Sequence, residues 1–309
     1  MKKKNIEIFN LAKARNAFLS GQNVTELLRK EFQVDRNTPE IIEIAYDLQS
    51  GSYIENFLKE PIQPTKYSME LAAILGEHVG PDDRLLDVGT GELTTLSLLV
   101  RFLTRKPSEI FAVDISWSRI YKGLSFASKQ MGSNVRLLRP FVGDVGELPL
   151  CDKSMNVTTS SHALEPNGGR LNEILKELFR VTADKLVLFE PYYEGNSSEG
   201  KARMDSLGYI KGLEASVLEL GGELIDRIEI KNIANRLNPT VCFVIKPPKQ
   251  SYREVAGCKG IYSVPGSNLP LVEADGFLYS ADVGVCYPIL KGIPVLRSSC
   301  SVLATAFRE

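Results

Sequence analysis

The segment that most restricts the fold is Leu85-Leu86-Asp87-Val88-Gly89-Thr90-Gly91, followed by LTTLSLLVRFLT. A short apolar run with the character of a buried strand turns sharply on two glycines and enters a helix. Glycine accepts positive φ and lets backbone approach a ligand closely, and the helix start presents unpaired N–H groups to an anionic group such as a carboxylate. Nucleotide-binding oxidoreductases also use a glycine turn of this kind. Two details separate this one: Asp87 precedes the first glycine, and Leu93 stands where a dinucleotide fingerprint has its third.

From Arg84 onward strand and helix alternate. EIFAVDI, residues 135–142, SMNVTTSS and KLVLFEP read as strands; WSRIYKGLSFASKQM, LNEILKELFRV and ASVLELGG read as helices. Such alternation implies parallel βαβ units with helices on both faces. ELIDRIEIK and TVCFVIKPP follow one another with no helix between them and are expected to pair as a hairpin. Residues 1–80 read as helical, with Asn23 capping one helix, Thr38-Pro39 opening another, Pro61 and Pro64 breaking the pattern, and a helix over residues 67–78. Pro247-Pro248 marks a boundary, and 249–309 holds short strand-like pieces among Gly and Pro. The expected organisation is therefore an α/β chain with a helical segment at 1–80, a Rossmann-like domain at 81–248 and a small β-rich appendage at 249–309.

The formal net charge of −1 over 309 residues gives no basic footprint for nucleic acid. No run approaches the ~18 apolar residues of a membrane span, and MKKK is not followed by the apolar core of a signal peptide. Five scattered cysteines, Cys151, Cys242, Cys258, Cys286 and Cys300, argue against a disulfide framework and for a reducing compartment. A cytoplasmic protein with a small-molecule partner, and neither nucleic acid nor membrane, is expected. Asn196-Ser197-Ser198 reads as an ordinary loop.

Carboxylates recur at successive strand ends. Asp114 closes the second strand, where a carboxylate can accept two hydrogen bonds from a ribose diol. Asp144 follows the third, with an adenine amino group as its natural donor and Leu148 placed to pack on the ring. Each of these residues could alternatively cap a turn, but three such coincidences at consecutive strand ends are far less frequent than one.

The series LLDVGTG, FAVD, VGDVGELP and SSHALEP, spanning about residues 80–247, resembles the successive motifs of class I S-adenosyl-L-methionine methyltransferases. The resemblance implies a seven-stranded, mostly parallel sheet with one antiparallel strand. It implies S-adenosyl-L-methionine as cofactor, with Asp87 and the Gly89-Thr90-Gly91 loop on its methionine part, Asp114 and Ile115 at the ribose, Asp144 and Val145 at the adenine, and Ser161 completing the set. Leu93 and a longer than usual interval between Asp87 and Asp114 depart from the pattern.

Methyl transfer is an in-line displacement that positions an acceptor and often removes one proton. The candidates follow strands four and five. His162, one of two histidines, titrates near neutrality and suits a general base, although a structural histidine is equally expected. Glu165 and Glu190 each precede a proline and would bind a cationic or hydroxyl-bearing acceptor, or else local backbone. Tyr192 and Tyr193 would wall the acceptor pocket, and Tyr46 and Tyr53, around Gly51, would belong to a covering lid; for both pairs packing against the sheet is the plainer alternative. The fourth strand lacks the Asn/Asp-Pro-Pro-Tyr/Phe signature of enzymes that methylate exocyclic or amide nitrogens. O-, N- and C-methylation of a small molecule, such as a saccharide or secondary metabolite, stay open, beside an RNA or protein methyltransferase and a cofactor-binding scaffold without turnover.

In the appendage, Tyr287-Pro288-Ile289 and Gly292-Ile293-Pro294-Val295-Leu296 resemble the end of the small zinc-ribbon proteins that activate tRNA and release-factor methyltransferases. Two C-x-x-C pairs bind zinc in that family. Here they read Val255-Ala256-Gly257-Cys258 and Ser280-Ala281-Asp282-Val283, one thiol where a closed site needs about four ligands. The resemblance implies the ribbon shape without a metal, packed on the larger domain or forming a homodimer contact.

Overall fold

A computed structural model describes residues 8–249 and 260–307. The N-terminal segment forms α1 (Ile8–Leu19), α2 (Val24–Phe32), α3 (Pro39–Leu48), α4 (Ser52–Lys59) and α5 (Ile62–Leu75). The Asn23 side chain accepts the Glu26 N–H at 3.1 Å and the Thr38 hydroxyl that of Ile41 at 3.4 Å, as the cap residues predict. Pro61 lies just before α5, but Pro64 does not break it. It sits in the first turn, where its missing N–H has no intrahelical partner to lose.

The main sheet comprises β1 (Arg84–Val88), β2 (Glu109–Asp114), β3 (Leu138–Val142), β4 (Met155–Ser161), β5 (Thr182–Pro191), β6 (Glu223–Glu229) and β7 (Thr240–Lys246). Their order is β3-β2-β1-β4-β5-β7-β6, with β7 antiparallel to both neighbours and the other pairs parallel. The helices are α6 (Thr94–Phe102), α7 (Trp117–Met131), α8 (Leu171–Val181), α9 (Ser198–Leu207) and α10 (Leu213–Glu219). The third strand begins at Leu138 rather than Val135, because Gly132–Leu137 winds as a 3-10 turn. The loop reading of Asn196-Ser197-Ser198 is replaced by a helix start: the Ser197 hydroxyl accepts the Gly200 N–H at 3.1 Å and opens α9.

Both faces of the sheet are buried. On one, Leu71, Leu75, Leu99 and Leu103 pack over Leu85, Val157, Val187 and Val244. On the other, Leu175, Leu178 and Phe179 of α8 and Val217 of α10 cover Leu86, Leu186, Leu188 and Phe243. A parallel sheet needs both faces covered, usually by the helix of each crossover. Residues 143–154, which join β3 to β4, contain no helix. The chain's C-terminal part fills the gap. Its strands are β8 (Val272–Ala274), β9 (Phe277–Ser280), β10 (Val285–Leu290), β11 (Ile293–Pro294) and β12 (Val302–Leu303), in one small antiparallel sheet.

The Tyr262 ring stands edge-on to Phe111 at 6.0 Å and to Phe141 at 5.5 Å. Leu271, Leu278, Tyr287 and Leu296 join the same core as Phe111 and Phe141. Backbone seals the junction: Tyr262 bridges Leu150, Val295 bridges Val142, and the Leu296 N–H donates to the Val142 carbonyl at 2.8 Å. The appendage thus shares its core with the sheet. Cys151 is disulfide-bonded, contrary to the expectation of unpaired thiols, while Cys242, Cys286 and Cys300 are free. Of the degenerate zinc positions, residues 255–258 lie outside the described residues. No helix among the described residues is long and apolar enough to cross a membrane.

Candidate functional site

The strand order reverses between β1 and β4, so the chain leaves their carboxyl ends in opposite directions and opens a crevice there, where ligands bind in sheets of this kind. A cavity occupies it. The first three strand ends bring Asp87, Asp114 and Asp144 to its wall, together with Gly89, Thr90, Gly91, Ile115, Val145 and Ser161. All nine residues expected to hold cofactor line one space. Leu148 does not; it is fully buried in the core beneath, because the turn after Asp144 directs it at α8 rather than outward.

The loop geometry explains its glycines. Gly89 has φ +64°, and a Cβ on it would stand 2.3 Å from the Ala163 Cβ. Gly91 has φ +55°, and its N–H donates to Asp114 Oδ2 at 2.8 Å. Leu93, in place of the third glycine, nonetheless adopts the left-handed region at φ 57° and is fully buried. Packing against Leu96 and Ala127 holds a backbone state that costs a non-glycine residue roughly 1–2 kcal/mol.

Each carboxylate has a distinct setting. Burial first, then the charges on Asp114 and Glu190, pushes Asp87 up to about 7. Asp114 accepts the Gly91 and Ser116 N–H groups through different oxygens, at 2.8 and 2.9 Å. Asp144 is held by the Gly146 N–H at 3.0 Å and by Arg170 at 3.1 Å.

The helical segment closes the cavity. α3 contributes Ile42 and Tyr46, and Tyr53 comes from α4. Glu92, directly after the glycine loop, accepts the N–H groups of Gly51 and Ile54 at 2.9 Å each and of Tyr53 at 3.4 Å. It supplies the carboxylate that the helix N-terminus favours and that Gly51 cannot provide. Asp47 accepts the Ser116 hydroxyl at 2.6 Å. The cover is therefore joined both to the end of the glycine loop and to the turn that opens α7.

His162 and Glu165 line the cavity. His162 sits at φ 56°, its Nδ1 2.9 Å from Glu165 Oε2 and its Nε2 2.7 Å from the Thr240 hydroxyl. Burial depresses its pKa, but the hydrogen bond and charge of Glu165 outweigh that and raise it. Ser161 shares a hydrogen bond with the Tyr67 hydroxyl at 3.0 Å.

Three expected residues lie elsewhere. Glu190 points inward, accepting the Ser160 hydroxyl at 2.7 Å and the Ala163 and Leu164 N–H groups at 3.1 and 3.2 Å; it braces the loop that carries His162. Tyr192 packs on Phe243 and accepts from Arg227 at 2.8 Å, and Tyr193 donates to Asp205 at 3.2 Å. Neither tyrosine lines the cavity; after Pro191 the Tyr192 N–H donates to the Pro239 carbonyl at 2.9 Å, and both rings are half-buried away from it.

Sequence reasoning missed Arg119, Arg170 and Glu92, all on the cavity wall. Arg119 left a signal: a cation in the first turn of a helix opposes the macrodipole.

No protein-family model and no curated protein matches the sequence. Solved structures do. The complex between the Haloferax volcanii Trm112 methyltransferase activator and a methyltransferase superposes with a TM-score of 0.51 at 17% identity, over 66% of this chain and 97% of that one. A SAM-dependent methyltransferase from Aquifex aeolicus (0.42, 16%, 57% and 89%) and geranyl diphosphate C-methyltransferase from Streptomyces coelicolor (0.45, 11%, 57% and 78%) are looser matches. The first of these likenesses establishes the fold as the Rossmann-like, seven-stranded one on which methyltransferases are built.

Proposed function

We propose that the protein is an S-adenosyl-L-methionine-dependent methyltransferase acting on a small molecule. The observation that carries the reading is the convergence of Asp87, Asp114 and Asp144, from three consecutive strand ends, on one cavity. The lining fits an adenosyl ligand: a carboxylate for a ribose diol, a second beside Val145 for an amino-purine, and a glycine loop that leaves room for backbone contact. When bound, the cofactor supplies an electrophilic methyl group on sulfonium sulfur.

The chain's own groups do the rest. α3 and α4 exclude water and favour a compact acceptor. His162, on the cavity wall, takes the acceptor proton, its ring oriented by Glu165 at Nδ1 and the Thr240 hydroxyl at Nε2. Glu190 positions the loop without touching the acceptor. The appendage serves as a metal-free relative of the activator ribbon, built into the chain as a structural part.

Calorimetry with S-adenosyl-L-methionine and S-adenosylhomocysteine tests this. Both bind the native protein, and Asp114→Ala binds at least about tenfold more weakly. Unchanged affinity in that variant removes the ribose assignment, and absence of binding to the native protein removes the proposal.

A further inference from the structure

Among the described residues, the cavity wall carries two guanidinium groups, and the protein treats them differently. Arg170 is fully engaged, with Asp144 at 3.1 Å and Glu173 at 2.6 Å. Arg119 is not. Its side chain is nine-tenths buried, yet the nearest carboxylate oxygen, Asp114 Oδ2, is 3.9 Å from Nη1 and already accepts the Gly91 N–H. Its Nε is buried with no hydrogen-bond partner.

The position is nevertheless built. The Tyr46 and Tyr53 rings flank the guanidinium, 5.1 and 4.8 Å from its central carbon. Nη2 lies so close over Gly91 that a Cβ there would stand 2.5 Å from it. The glycine makes room for the arginine, and the two tyrosines fix the plane of its fork. A buried guanidinium without a full partner is costly, and a cation in the first turn of α7 opposes the helix dipole. Two cation–π contacts recover part of that cost. The remaining donors match a planar anion delivered from the cavity, since a guanidinium recognises a carboxylate through two parallel N–H···O bonds.

Resting on the proposed cofactor, we infer that Arg119 binds the α-carboxylate of its amino-acid end. Asp114 and Asp144 meet the adenosyl part, Asp87 lies at the methionine part, and the ligand's one anionic group meets the guanidinium that, among the described residues of the wall, is left under-paired. Tyr46 and Tyr53 hold that guanidinium in place as the helical cover closes, so the cover senses the amino-acid end of the ligand. A compound with the adenosyl group but no carboxylate would leave Arg119 as it stands here.

The test is calorimetry with S-adenosylhomocysteine and its decarboxylated analogue, S-adenosyl-3-thiopropylamine, on the full chain. The native protein prefers the carboxylated compound by at least about tenfold. Arg119→Gln loses most of that preference, weakening the first compound about tenfold and the second less than threefold. Arg119→Lys, which keeps the charge without the fork, falls between. Equal affinity of the native protein for the two compounds, or equal losses in Arg119→Gln, overturns the inference while leaving the cofactor reading in place. A native protein that binds neither compound overturns the cofactor reading itself, and this inference with it.

Discussion

Arg297 of the appendage donates to the carboxylate of Glu43, on the same helix that carries Tyr46 to the cavity. The two residues are 254 positions apart. Arg297 is almost wholly buried and its Nε has no partner, so Glu43 is its principal counter-charge. Burial, only partly offset by Arg297, raises the Glu43 pKa. Glu43→Gln leaves a buried guanidinium poorly matched and is expected to cost about 2 kcal/mol in urea unfolding. Adding Arg297→Met should recover part of that loss, as coupled neighbours do; strictly additive losses would show that the pair does not interact.

Stability should fall as pH rises across the neutral range. Burial pushes Glu190 from 4.5 up to about 7. A carboxyl whose folded pKa exceeds its unfolded one contributes fully below the unfolded value, and that contribution disappears as pH rises through the folded value. The loss attributable to Glu190 between pH 4.5 and 7 is at most about 3 kcal/mol. Asp87 acts with the same sign. Glu190→Gln keeps the shape and an acceptor for Ser160 while removing the charge. Comparing its urea midpoints at pH 5 and pH 8 with those of the native protein should give a visibly smaller difference; an identical difference would mean that Glu190 does not titrate there.

The two glycines of the loop should fail in different ways. At Gly89 a new Cβ meets the Ala163 Cβ at 2.3 Å and its Cα at 3.1 Å, and the backbone carrying Ala163 must move. Gly89→Ala should cost about 2–4 kcal/mol of stability. At Gly91 the obstacle is the far end of the Arg119 side chain, which must leave its place between Tyr46 and Tyr53 while the backbone stays where it is. Gly91→Ala should lose about 1–2 kcal/mol, with the larger effect on binding of S-adenosylhomocysteine. Thermal unfolding and calorimetry on both variants separate the outcomes; equal loss of stability would contradict the packing described.

His162 should matter for turnover rather than for cofactor affinity. His162→Ala is expected to lower kcat by about 10²-fold or more, with the dissociation constant for S-adenosylhomocysteine within about threefold of native. Glu165→Gln, which leaves the imidazole without its charged partner, should shift the rate profile so that the basic form appears at lower pH. An unchanged kcat in His162→Ala would return the residue to a structural role.

Much of the fold was legible because it rests on local periodicity. α7 and α8 begin and end where the sequence pattern placed them, and both predicted caps bond as expected. That the residues at the first three strand ends would line one cavity was legible because strand ends in a parallel sheet converge whatever joins them. What stayed hidden depends on tertiary direction. Glu190 and Tyr192 share a strand end with a plausible motif, but which face each residue takes follows from the pairing of β5 with β7. Glu92 reads as a loop residue until α4 is known to start above it. That the appendage packs on the larger domain was one of two expectations, but the face it covers was hidden for the same reason, since nothing local to Tyr262 reveals that Phe111 and Phe141 need a cover.

That cover has a consequence for how the molecule can be taken apart. In most sheets of this architecture each crossover brings its own helix, so the nucleotide-binding half is complete when its last strand is made. Here the face of β2 and β3 stays bare until Tyr262 and the strands beyond it have been synthesised and folded back. A chain shortened to its sheet would show aromatic rings to water and tend to associate through them, so a closed sheet and an intact C-terminal part are acquired together.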